Sequence, residues 1–156
     1  MKTLSTDELR SYLDGLFDKL RPFAEGLERY IVYNIFNINF SDRISHMPPG
    51  MFCYSDGKSY HYGEVGDYGE VTSEEFDNLF DLTYEIISFQ THGLAFAYAH
   101  KNSDKQNDIR RIAFPQQIEL MKIIGDDYVK MVEAKITEIL KEAPYDDSLY
   151  AQFANS

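Results

Sequence analysis

Few residues in this sequence have types and spacings that could do chemistry. Four histidines, His46, His61, His92 and His100, stand as candidate bases or metal ligands, and Cys53 as the one candidate thiol nucleophile. No two histidines are four residues apart, the spacing with which a helix turns a pair toward one zinc ion, and a single cysteine cannot build a thiolate-rich site. Cys53 falls in an expected strand, the setting of a small core residue rather than of a nucleophile. The carboxylate pairs Glu74-Glu75 and Asp126-Asp127 fall where first turns of helices are expected, and the helix dipole accounts for them there. No phosphate-cradling glycine loop, dinucleotide fingerprint or nucleophile elbow occurs. The residue types therefore nominate no catalytic residue, no metal and no cofactor. A metal-dependent hydrolase built on His61, His92 and the nearby acids stands as an alternative.

Charge is the stronger signal. The 156 residues carry 15 Lys plus Arg against 26 Asp plus Glu, a formal net charge of -11. A binder that neutralises phosphates needs the opposite sign, so direct nucleic-acid binding is not expected. With 12 Tyr and 11 Phe the chain can bury a core and is not a disordered acidic tail. The acidity is local. Between Ser59 and His100 there is no Lys or Arg, against Glu64, Asp67, Glu70, Glu74, Glu75, Asp77, Asp81 and Glu85, so this stretch holds -8 of the -11. Such a stretch is either a solvated face or a surface suited to a cationic partner.

The elements that position these residues follow from periodicity and punctuation. Ser5 and Glu8 have capping-box spacing, and Leu9, Leu13, Leu16, Phe17 and Leu20 repeat at helical intervals until Pro22 ends or redirects the helix. A short helix is expected around Phe23–Arg29. The run Tyr30–Phe40 fits a strand by its aromatic and β-branched content and a continued helix by its position. After the Met47-Pro48-Pro49-Gly50 loop, Asp56-Gly57 reads as a two-residue type I′ turn pairing Tyr54 with Ser59, Cys53 with Tyr60 and Phe52 with His61. A Gly66-Asp67 turn and a strand over Tyr68–Thr72 complete a small antiparallel meander.

Thr72 and Glu75 repeat the capping-box pattern and predict a long helix from about Ser73 to about His100. Its inner stripe would be Phe76, Leu79, Phe80, Thr83, Ile86, Ile87, Gln90 and Leu94, with Gly93 a point of interruption. Asp77, Asp81 and Glu85 would then form one acidic ridge, at a like-charge cost that no neighbouring cation offsets. Pro115 suits the first turn of a further helix ended by Gly125, and Asp126 would cap the last one, striped by Val129, Val132, Ile136, Ile139 and Leu140. The expected architecture is a single α+β domain over residues 1–156: a small antiparallel meander flanked by several helices, one of them long and central.

The stretch Asp108–Asp147 resembles the immunity protein 63 family of bacterial polymorphic-toxin and contact-dependent inhibition systems. The matching residues are Asp108, Arg110, Arg111 and Phe114, then Gln117, Glu119 and Leu120, and the closing Pro144, Tyr145, Asp146 and Asp147. With the Tyr60-His61-Tyr62 strand, Gly66 and the acid-rich helix, the likeness runs over roughly Met51–Asp147; Pro115 departs from it. The resemblance implies a non-enzymatic immunity protein that binds a cognate toxin C-terminal domain in the producing cell. It also implies that Arg110 and Arg111 tie loops to acidic groups at the core edge rather than touch the toxin.

Many toxins of such systems are nucleases with basic clefts, and the -8 segment suits such a partner by sign. The expected toxin-binding residues are Glu64, Asp67, Tyr68, Glu70, Asp77, Asp81 and Glu85, the tyrosine because exposed Tyr concentrates binding energy at interfaces. The opening MKTLSTDELR lacks a secretory h-region, and Ile86–His100 is too short and polar to span a bilayer, so a soluble cytoplasmic protein is expected. The alternative to an immunity protein is a small-molecule or regulatory module holding its ligand between the sheet and the long helix.

Overall fold

The reciprocal capping box opens the first helix. Ser5 N–H donates to Glu8 Oε1 (3.0 Å) and Glu8 N–H to Ser5 Oγ (3.2 Å), so two orphan donors of α1 (Thr6–Leu20) are satisfied. Leu9, Leu13, Phe17 and Leu20 are buried, as their spacing requires. Pro22 does end α1. It sits in a 3₁₀ turn, Arg21–Ala24, and Gly26 then takes a positive φ of 81°, so the helix expected over Phe23–Arg29 does not form.

The computed structural model describes residues 2–149 of the chain. The order after the 3₁₀ turn is α2 (Arg29–Phe36), β1 (Ile38–Phe40), a 3₁₀ turn (Ile44–His46), β2 (Gly50–Ser55), β3 (Tyr60–Val65), β4 (Val71–Phe76), α3 (Leu79–Asn102), α4 (Arg110–Ile124) and α5 (Asp126–Glu142). This is an α+β fold with one long helix. The run Tyr30–Phe40 resolves into both of its readings, a helix to Phe36 and a three-residue strand after Asn37. The chain gathers into two compact units. One holds the residues up to Asp18 with Phe36–Ile86; the other holds Lys19–Ile35 with the chain from Ile87 onward.

In the first unit the strands lie in the order β1-β2-β3-β4. The meander β2-β3-β4 is antiparallel as expected, but β1 joins β2 in parallel, so the sheet is mixed. The β2–β3 register differs from the expected one: Ser55 faces Tyr60, Tyr54 faces His61 and Cys53 faces Tyr62. The cause is Asp56, whose Oδ1 accepts the N–H groups of both Lys58 and Ser59 at 2.8 Å and opens a four-residue loop in place of the two-residue turn. Each partner moves by two residues, so every side chain keeps its face of the sheet. Phe52, Cys53, Tyr60, Tyr62 and Val65 are buried.

The larger correction lies at β4. Residues Ser73–Phe76, expected in a helix, form the second half of this strand, paired with Gly63 back to Tyr60. The strand expected over Tyr68–Thr72 is instead a turn that enters β4 at Val71. Asn78, not Thr72, caps α3: its Oδ1 accepts the Asp81 N–H (2.8 Å) and its Nδ2 donates to the Asp81 carboxylate (2.9 Å). The buried stripe of α3 is accordingly Leu82, Thr83, Ile86, Ile87, Gln90, Thr91, Leu94, Ala95 and Ala99, while Phe80 is exposed.

In the second unit, Gly93 does not interrupt α3. A Cβ there would lie 3.0 Å from the Ile35 side chain, so glycine admits close packing of α2 on the helix. Gln117 on α4 donates to the Ser88 carbonyl (3.2 Å) and Thr91 Oγ1 (3.3 Å) on α3. Pro115 lies inside α4, one turn past the position expected for it. Gly125 separates α4 from α5, and Asp126 is the first residue of α5 rather than a side-chain cap, which leaves it and Asp127 to act through the helix dipole. Val129, Val132 and Ile136 are buried along α5.

Candidate partner-binding surface

The eight acidic residues between Ser59 and His100 all belong to the first unit, on β3, β4, the turn between them, the β4–α3 link and the first two turns of α3. The β3–β4 turn is closed by Gly66 N–H to the Glu70 carbonyl (2.8 Å) and Gly69 N–H to the Gly66 carbonyl (3.0 Å), with Gly69 at φ 83°. Glu70 also folds its carboxylate back to accept the Tyr68 N–H (3.0 Å), so its side chain builds the turn as well as charging it. This turn pushes Tyr68 into solvent, 97% exposed, beside exposed Asp67. An aromatic ring so presented gains from burial only when something docks on it.

Glu64 on β3 is exposed. With Glu74 and Glu85 it lines a groove of about 300 Å³ whose other walls are Met51, Tyr62, Gly63, Thr72 and Ser73. The field of these acids is felt at Tyr62, whose hydroxyl pKa is pushed up first by burial and then by Cys53, Glu85 and Glu64. Three carboxylates, Glu64, Glu74 and Glu85, thus share this groove with the Tyr62 and Met51 side chains.

The three-carboxylate ridge does not form as expected. Asp77 precedes α3 on the link from β4, and Asp81 sits in its first turn, where the dipole and Asn78 favour it; only Glu85 stands further along the helix. Sequence reasoning also assigned Glu74 and Glu75 to a helix terminus, whereas both are exposed on β4 and Glu74 lines the groove. The β-branched pair Val71-Thr72, together with the Asn78-x-x-Asp81 cap, is the signal that places them on a strand.

Of the candidates for chemistry, Cys53, His61 and His92 are engaged with the fold, while His46 and His100 are exposed, one in each unit. Cys53 is fully buried and its thiol is pushed up to about 12 by burial, the opposite of an activated nucleophile. His61 Nε2 lies 2.8 Å from Asp56 Oδ2, and Ser59 Oγ bridges Asp56 Oδ2 (3.1 Å) to Glu75 Oε1 (2.7 Å). His61 first, then the Ser59 and Lys58 N–H groups, hold the Asp56 carboxyl far below the usual range. Asp56, His61 and Glu75 could each give one ligand atom to a cation, all within 4.8 Å, but these side chains already bond one another directly or through Ser59. His92 stacks on Phe96 (4.3 Å), and burial lowers its pKa.

A second cluster, in the other unit, unites the residues of the Asp108–Asp147 pattern. The buried Asp108 carboxylate receives Arg110 Nε (3.1 Å), Arg110 Nη2 (2.7 Å), the Arg110 N–H (3.0 Å) and the Asp146 N–H (3.0 Å). Arg110 continues to the Ala143 (2.8 Å) and Pro144 (2.9 Å) carbonyls beyond α5. Arg111 Nε reaches Asp147 Oδ1 (2.9 Å) and lies 4.5 Å from the Tyr145 ring centroid, while Tyr145 in turn meets Phe114 at 6.4 Å. Arg110 holds the Asp108 carboxyl down to about 2 against the opposing effect of burial. The knot clamps the entry to α4 onto the exit from α5.

The described residues thus form an α+β fold with an acidic, tyrosine-tipped turn beside the sheet edge and an internally satisfied Arg–Asp knot. The family model of immunity protein 63 matches residues 56–138, just over half of the chain, and the chain belongs to that family. It is thus an immunity protein, and its partner is a cognate toxin. The match holds Asp108, Arg110, Arg111 and Phe114 and every acid of the β3–β4 region; Pro144, Tyr145 and Asp146 lie beyond it. No curated protein and no solved structure matches the chain. No helix among the described residues is long and apolar enough to cross a membrane.

Proposed function

We propose that this chain neutralises a basic toxin domain, a nuclease, in the cytoplasm of the cell that makes both, with no catalysis of its own. It works by covering the toxin's active or substrate-binding surface, as the immunity protein of a contact-dependent or other polymorphic-toxin system. The observation that carries this reading is the stretch from Ser59 to His100, with eight carboxylates and no Lys or Arg, whose charges fall on β3, β4 and the start of α3. A nuclease cleft must be basic to hold phosphates, so an acidic surface is attracted to the same place its substrate occupies. Glu64, Asp67, Glu70, Asp77, Asp81 and Glu85 speed encounter, and Tyr68 supplies short-range energy once docked. Asp108, Arg110, Arg111, Phe114, Pro144, Tyr145 and Asp146 serve the fold rather than the interface, and the two units act as one domain.

Co-expression tests the reading. Cells making the toxin domain encoded next to this chain should grow with it and die without it, and the purified chain should block cleavage of nucleic acid by that domain. Protection against a toxin that leaves DNA and RNA intact would refute the nuclease assignment. No protection at all would refute the pairing.

A further inference from the structure

β4 is an edge strand, and its outer edge is open among the described residues. Natural sheets guard such edges by keeping them short, or with proline, a bulge or charged side chains, of which this strand has the carboxylates of Glu74 and Glu75, a guard that does not repel a cationic strand. β4 has six residues, VTSEEF, none of them proline or lysine, and Val71 through Glu75 are all exposed. Its hydrogen-bonding phase follows from the turn. Gly66 N–H bonds the Glu70 carbonyl, so hydrogen-bonded pairs recur every second residue, at Glu64–Thr72, Tyr62–Glu74 and Tyr60–Phe76. The backbone N–H and C=O groups of Val71, Ser73 and Glu75 therefore point away from β3.

The two sides of this edge differ. On one lie Thr72 and Glu74 beside the groove that Glu64 and Glu85 also line. On the other lie Val71, half exposed, and Ser73, which also lines that groove, while the Glu75 carboxylate is held by Ser59. An incoming strand would thus meet carboxylates with one set of alternate side chains and small or apolar groups with the other. Like charge on Glu74 and Glu75 disfavours a second copy of this chain at the same edge.

We propose that the toxin adds a β-strand to β4, pairing with Val71, Ser73 and Glu75 and sending alternate Lys or Arg side chains into the Glu64–Glu74–Glu85 groove. The proposal rests on the immunity reading above and names the contact by which it works. Main-chain bonds at an open edge give affinity, and the alternate side chains give specificity. Tyr68, at the head of the strand, closes over the end of the added segment.

The test is amide hydrogen exchange on the full chain, alone and with the toxin domain encoded beside it. The Val71, Ser73 and Glu75 amides should exchange fast in the free chain and be protected by about 100-fold or more in the complex. Ser73→Pro removes an outward donor and no bond to β3, and should weaken binding by about 100-fold with an unchanged melting temperature; Ser73→Ala should bind within about threefold of wild type. A complex in which these three amides still exchange fast overturns the proposal while leaving the immunity reading intact. So does protection in the free chain that grows with its own concentration, which would assign the edge to a second copy. Absence of any complex overturns both.

Discussion

Replacing Asp108 with Asn perturbs the knot at its centre. The side chain has 0% exposure and Arg110 only 18%, and each carboxylate oxygen accepts from N–H donors. Asn is nearly isosteric, but its NH₂ must face a donor, Arg110 Nη2 and the Asp146 N–H on one side or the Arg110 N–H on the other. Breaking a buried charge pair from one partner costs about 3 kcal/mol or more, so urea unfolding at pH 7 should show a loss of that size. The pH dependence gives an independent measure. The folded-state carboxyl titrates at about 2 against an ordinary 3.8. A depressed carboxyl contributes stability that is present in full above its unfolded pKa and lost as pH falls through the folded one. The drop amounts to about 2 kcal/mol, so the gap between wild type and Asp108→Asn should be widest above pH 5 and shrink by about that amount between pH 4 and pH 2. A loss below about 1 kcal/mol at pH 7, or a gap that ignores pH in this window, would refute the knot as a stabilising device.

Three further substitutions or additions test separate parts of the structure. A Cβ at Gly63 would overlap the Thr72 carbonyl oxygen and come within 2.7 Å of Ser73 Cα, so Gly63→Ala should cost about 2–4 kcal/mol in thermal or urea unfolding; a neutral result would mean that β3 and β4 are not so close. Gln90 is fully buried with neither amide atom bonded to protein, so Gln90→Met should stabilise the chain by about 1–2 kcal/mol, and a comparable loss instead would mean that the amide is satisfied. Zinc or a chelator should leave the melting temperature within about 1 °C, because Asp56, His61 and Glu75 already bond one another directly or through Ser59; a rise of several degrees with zinc would make that trio a metal site.

Local signals read truly at α1 and between α4 and α5, and misread the β2–β3 loop, where Asp56 accepts two backbone N–H groups in place of the expected two-residue turn. Ser5 and Glu8 cap α1, Pro22 ends it, Gly125 separates the last two helices, and Leu9, Leu13, Phe17 and Leu20 of the first stripe and Val129, Val132 and Ile136 of the last are buried, with Leu16, Ile139 and Leu140 half-buried. The β4–α3 junction misled because a Thr-x-x-Glu spacing also occurs along a strand, and the true cap used Asn78 and Asp81 instead. The parallel β1–β2 pairing leaves no mark in short-range sequence, since a thirteen-residue offset, Ile38 to Met51, sets it. At the partner surface the residue types were legible and their arrangement was not. Moving Ser73–Phe76 from helix to strand puts Glu74 and Glu75 on the sheet edge, and the start of α3 at Leu79 breaks up the ridge expected of Asp77, Asp81 and Glu85. That Arg110 and Arg111 tie loops together, at the Ala143 and Pro144 carbonyls and at Asp147, was legible only through family resemblance, because no spacing in α4 or α5 demands that these distant segments meet.

The association rate with the toxin domain, followed by stopped flow over a range of ionic strengths, tests the central claim most directly. Glu64, Asp67 and Glu74 are exposed, and among the described residues their carboxylates make no hydrogen bond or ion pair, so reversing all three to Lys changes the field and spares the structure. The wild-type rate should fall steeply with salt, and the triple reversal should be slower by about 10-fold or more at low salt and nearly salt-independent. Equal rates with equal salt slopes would contradict an acidic sheet edge as the surface by which this immunity protein finds its toxin.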